Sequence, residues 1–163
     1  MENERTVIPG KQAIAKAIVV AGLVAGTLDG LGAILTFLLR GGKDPVKIFN
    51  FIASGVFGES GLKGGTTMAL AGLIFHLCIA TIWAAFYFII YPKVTVLAKS
   101  WVASGLSYGI VVWLGMNLVV VPLSSTPPLP MGVQGVIVGS VVLMICVGLP
   151  ISFLARKFYA GRG

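Results

Sequence analysis

From Ser100 to Ala155 the chain carries no charged side chain. A water-soluble domain places charge on its surface, and about a quarter of its residues are charged. A stretch this long without any suits hydrocarbon, where a spanning helix needs about 20 apolar residues to cross roughly 30 Å. The whole chain keeps to this pattern. Of its 163 residues 57% are hydrophobic and 10% are charged. The expected fold is an all-α integral membrane bundle of four transmembrane helices. It forms one membrane domain over residues 1–163, with a short interfacial helix in the first loop.

The spans are expected at about 17–39, 66–90, 101–121 and 133–154. Local chemistry punctuates them. Arg40-Gly41-Gly42-Lys43 stops the first, Lys63-Gly64-Gly65 precedes the second, and Tyr91-Pro92-Lys93 follows it. Pro122 closes the third, and Ser124 to Pro130 holds three prolines and cannot be helical. Pro150 lies inside the fourth span; it frees the carbonyl of Cys146 one turn earlier and predicts a kink. The first run is too long for a signal-peptide core, and Glu2 and Glu4 precede it, so it reads as a retained span. No internal repeat argues for inverted topology.

Lysine and arginine set the direction. Arg5, Lys11, Lys16, Lys93, Lys99, Arg156, Lys157 and Arg162 fall on one side of a four-span chain. Arg40, Lys43, Lys47 and Lys63 fall on the other. The richer side is expected to be cytoplasmic, with both termini there.

The first loop holds a helix expected at about 45–57. Asp44 is its N-cap and Pro45 its first residue. Lys47, Asn50 and Ser54 share one face, while Phe49, Ile52, Ala53 and Val56 lie largely on the other. Such a segment either lies in the interface by its apolar face or caps the mouth of the bundle.

Two ionisable groups fall inside the spans, Asp29 and His76. The first two helices run antiparallel. At 1.5 Å per residue Asp29 stands roughly 18 Å above the cytoplasmic end and His76 roughly 21 Å, so they meet at one depth. Gly22, Gly26, Asp29, Ala33 and Thr36 form one stripe of the first helix. Gly22, Gly26 and Gly30 are spaced to let backbones approach. On the second helix Gly65, Ala69, Gly72, His76, Ala80, Trp83 and Tyr87 form the matching stripe, small residues towards one end and aromatics towards the other. Gly105 and Gly109 on the third helix, and Gly135 and Gly139 on the fourth, are further packing positions. An ionisable residue at this depth is paired or functional. Either Asp29 and His76 form an interhelical hydrogen bond that fixes packing, or they bind or relay a proton or small cation. Asn117 is expected to be a secondary polar contact between helices.

Other chemistries find no residues. One histidine excludes a two-histidine metal site or bis-histidine haem. The Gly-x-Ser-x-Gly string at Gly105 to Gly109 lies inside an apolar run and not at a strand-to-helix turn, so it is no nucleophile elbow. Gly64-Gly65-Thr66-Thr67 lacks the spacing of a phosphate loop. No catalytic residue, metal or cofactor is therefore assigned, and the chain is not read as an enzyme. The net charge of +7 sits at the ends of apolar runs, so the partner is the lipid bilayer and not nucleic acid. Cys78 and Cys146 lie deep in apolar runs and are expected to be reduced, buried fillers.

The run His76, Ala80, Trp83, Ala84 and Tyr87, followed by Pro92-Lys93, Pro122-Leu123 and Thr126-Pro127-Pro128, resembles the YagU-type family of small bacterial inner-membrane proteins. The likeness covers the last two-thirds of the chain. It implies a multi-pass protein of the bacterial inner membrane and marks His76. It carries no reaction or substrate across.

Two functions follow as expectations. One is a structural or accessory membrane subunit, a homo-oligomer or part of a larger membrane complex, because glycine faces occur on all four helices. The other is a small transporter or channel moving protons or a small cation through Asp29 and His76.

Overall fold

The computed structural model describes residues 10–127 and 132–160. Glu2, Glu4, Arg5, Pro128, Pro130 and Arg162, which the readings above used, lie outside the described residues. The described chain is helical throughout, with no strand among those residues. Helix α1 covers Lys11–Leu39, α2 Val46–Phe57, α3 Glu59–Lys63, α4 Gly65–Ile90 and α5 Thr95–Lys99. Two further long helices follow, α6 over Trp101–Leu123 and α7 over Val133–Ala160. Four of these, α1, α4, α6 and α7, are long and apolar enough to cross a membrane.

Two of the long helices exceed their expected bounds. Helix α1 starts at Lys11 and α7 runs on to Ala160. The apolar reading stops at the first charges, but the backbone does not, because lysine and arginine are good helix formers. The loop helices α3 and α5 are too short to show a hydrophobic period. Helix α2 begins one residue later than expected, with Pro45 in the N-cap position, and Asp44 Oδ1 accepts the Val46 N–H at 3.1 Å.

Helix α6 ends at Leu123, one residue past Pro122, and the carbonyl conflict at Pro150 is met by a local widening of α7. In α6 the residues Met116–Val120 form a π turn, in which Val121 N–H reaches the carbonyl five residues back, at Met116. In α7 Met144–Gly148 does the same, with Leu149 N–H reaching Met144. Each π turn ends two residues before a proline. The ring repels the carbonyl four residues earlier and offers it no N–H, and a wider turn relieves that clash.

The bundle packs unevenly along its length. At the end holding α5 and the carboxyl end of α7, the core is aromatic and filled. Tyr87 and Phe88 are wholly buried there, with Tyr108 and Ile151 beside them. The Tyr87 hydroxyl meets Ser104 Oγ and donates to Ser152 Oγ at 3.0 Å, and Ser152 Oγ donates to the Trp101 carbonyl at 2.7 Å. These bonds tie α4, α6 and α7 together. Close backbone contact joins the rest. A Cβ on Gly22 would lie 2.5 Å from Thr81 Cα, and one on Gly26 would lie 2.9 Å from Leu77 Cδ2. Gly148 of α7 sits directly on the Gly105 carbonyl of α6, and Gly109 sits against Met144.

Helix α2 packs on the bundle by a different face from the apolar one read in the sequence. Its polar residues Asn50 and Ser54 are buried with Ala53, while Val56 is 61% exposed. It crosses α4 where Gly72 lies against the Phe49 carbonyl. The absence of a side chain at Gly72 admits the α2 backbone, and that close approach, not the hydrophobic period of α2, sets its orientation.

Candidate functional site

Asp29 and His76 come together where α1 passes α4. The interval between His76 Nε2 and Asp29 Oδ2 is 3.8 Å. The expected direct hydrogen bond is not formed, since that separation exceeds hydrogen-bond length. His76 Nε2 lies 2.8 Å from the Gly26 carbonyl oxygen instead. A carbonyl only accepts, so Nε2 carries the proton and donates. Gly26 makes this possible in two ways: its bare Cα lets α4 come close, and its carbonyl receives the imidazole. The Phe49 ring of α2 stands edge-on to His76 at 6.3 Å between centroids.

This leaves the Asp29 carboxylate with no hydrogen-bond donor among the described residues. It is not sealed in a seam. Asp29 and His76 line a cavity of about 410 Å³ that extends towards the first-loop end of the bundle. Trp83, Val112 and Val147 lie at the end nearer the aromatic core, and Arg40, Val121 and Gly135 lie at the first-loop end. Thr36 sits between Asp29 and Arg40 on α1, its hydroxyl bonded to the Gly32 and Ala33 carbonyls. The cavity has a simple origin. Small residues on α1, α4 and α7 line it, while the close contacts lie elsewhere: Gly22 and Gly26 join α1 to α4, Gly72 joins α4 to α2, and Gly148 joins α7 to α6. Ala33, Gly135 and Gly139 remain apart and enclose space.

Asn117 also lines the cavity, but not as an interhelical link: its Nδ2 donates to the Trp113 carbonyl of its own helix at 2.8 Å. The glycines separate into three kinds. Gly22 and Gly26 hold α1 to α4, and Gly72 holds α2 to α4. A Cβ on Gly30 would meet His76 at 3.5 Å and Phe49 at 3.9 Å, both ordinary contacts. Gly135 and Gly139 line the cavity, Gly139 beside the Trp113 indole. Trp113 itself was not singled out from sequence. Its spacing of four from Asn117 puts both on one face, and that was the available signal. The cysteines are both free: Cys78 is exposed, contrary to expectation, and Cys146 is half-buried, with its Sγ facing Gly32 one turn from Asp29.

The two π turns border this same cavity. Met116 and Asn117 reach it from α6, and Val147 reaches it from α7. Trp83 Nε1 donates to Met116 Sδ at 3.4 Å, and the Trp83 carbonyl accepts the Tyr108 hydroxyl at 2.6 Å. Trp83 thus forms a fixed wall between the cavity and the filled aromatic core. Among the described residues no cluster of three His, Cys, Asp or Glu side chains is placed to hold a metal ion. No family model, curated protein or solved structure matches the chain.

Proposed function

We propose that the chain is a four-span membrane protein that binds and moves a proton or small cation at Asp29 and His76. Insertion is supported by the outer surface. No more than 28% of the most apolar window of any span is buried within the chain, so most of that apolar surface faces outward. Leu31, Leu35, Ile82 and Leu118 are each more than half exposed there. The likeness to the YagU-type family would place it in a bacterial inner membrane, and the lysine and arginine count would put both termini in the cytoplasm.

One observation carries the transport reading: an Asp29 carboxylate without a hydrogen-bond donor, 3.8 Å from His76 and facing a cavity instead of a packed seam. A charge at mid-span costs at least a few kcal/mol, so a group that served packing alone would have its bonds made. The accessory-subunit reading rested on glycine faces beyond the needs of one bundle. Gly22, Gly26, Gly72, Gly105 and Gly148 meet partners within the chain, while Gly135 and Gly139 line the cavity.

The test is a pH gradient across vesicles containing the purified protein and an internal pH-sensitive dye. Asp29→Asn is expected to cut the flux at least tenfold while the variant still inserts. No flux in the parent protein, or equal flux in Asp29→Asn, counts against transport.

A further inference from the structure

We infer that the cargo of this site is an organic cation: a single positive charge, of ammonium or phosphonium type, on an apolar body. The inference rests on the transport reading above and names what the cavity takes. Volume decides first. About 410 Å³ lies within the range of small-molecule sites, roughly 300–1,000 Å³. A proton or bare ion would leave room for on the order of ten waters, and a lining of Ala33, Ile79, Val112 and Val138 would give those waters few partners. A desolvated metal ion of the calcium kind takes about six to eight oxygen ligands. The cavity offers the Asp29 carboxylate and little else of that kind.

The lining chemistry agrees. Trp83, Trp113 and Phe51 face the same space as Asp29. Indole faces attract cations, most strongly when water is excluded. A carboxylate with no donor completes a site for a charge that itself donates few or no hydrogen bonds. The groups that bear charge or titrate around Asp29 are His76 on α4, Cys146 on α7 and Arg40 at the first-loop end. Among the described residues α2 and α6 present none to the cavity. His76 Nε2 points its donor at the Gly26 carbonyl at 2.8 Å and not at the carboxylate. Arg40 is eleven residues from Asp29, roughly 16 Å along the helix. It opposes a cation at that end but not one held at Asp29. Protonation of Asp29 removes the attraction, so protons and cargo exclude each other at one group.

Tetraethylammonium and tetraphenylphosphonium span a range of sizes for this cavity. Tetraphenylborate has the shape of the larger probe with the opposite charge. Equilibrium dialysis of the purified protein in detergent is expected to show saturable binding of at least one cation and none of the borate. Acidification releases the cation. Asp29→Asn weakens binding at least tenfold, and Trp113→Leu weakens it several-fold while leaving the thermal midpoint within a few degrees. Binding of neither cation, or equal uptake of phosphonium and borate, overturns the inference. The vesicle assay separates the two claims. An Asp29-dependent proton flux without cation binding removes this inference and leaves transport standing; absence of both removes both.

Discussion

At Gly148 a single hydrogen atom separates a tight helix crossing from a clash. The α6 backbone at Gly105 occupies the place where a Cβ would go. Gly148→Ala is therefore expected to lose about 1–3 kcal/mol, as overpacked sites do, and to lower the thermal midpoint in detergent. Gly30→Ala is the contrasting case. Its Cβ would meet His76 at 3.5 Å, and alanine is the better helix former by about 1 kcal/mol. That variant is expected to keep or slightly raise the midpoint. Equal losses at both positions would show that the crossing is looser than described. His76 teaches the same lesson in polar form. Its depth can be counted along the sequence, but its partner is a carbonyl, and carbonyls carry no signature in a sequence.

At the level of elements, the two prolines shape the site without touching it. Pro122 and Pro150 each follow a π turn, and those turns bring Met116, Asn117 and Val147 to the cavity. Replacing Pro122 with alanine restores an N–H for the Leu118 carbonyl and removes the ring clash. Helix α6 is then expected to regularise, and position 117 to turn away from the cavity. Asn117→Cys, in a chain with Cys78 and Cys146 replaced by alanine, reports this. Its labelling by a small charged thiol reagent is expected to fall several-fold when Pro122→Ala is added. Unchanged labelling would mean that the turn is held by packing. Helix α2 belongs to the same scale. Its own period points Val56 inward, but the contact between Gly72 and Phe49 turns Asn50 and Ser54 inward instead.

For the whole molecule the question is which way the bundle faces. Eight basic residues against four predict that the first loop lies outside and that the loop between α4 and α6 lies in the cytoplasm. In the same cysteine-free background, Ser60→Cys is expected to react with an impermeant reagent on intact cells. Thr95→Cys is expected to react only once the membrane is opened. The reverse pattern would invert the protein and make the cavity face the cytoplasm. The uneven packing along the bundle gives this consequence: one end is filled by Tyr87, Phe88 and Tyr108, and the other is hollow between Trp83 and Arg40. A cargo entering from the first-loop side meets Asp29 before it meets the aromatic core.

Residue order alone determined the four long apolar helices and the shared depth of Asp29 and His76. Each of these depends on one-dimensional quantities: the length of an apolar run, the rise per residue and the spacing of charge. The tertiary structure decided which glycines close a contact and which enclose a space. It decided that His76 bonds Gly26, that Asn117 bonds its own helix, and that α2 turns its polar face inward. Those outcomes depend on where one backbone stands relative to another. Close packing resolves that competition among all the helices at once, and no single segment encodes it.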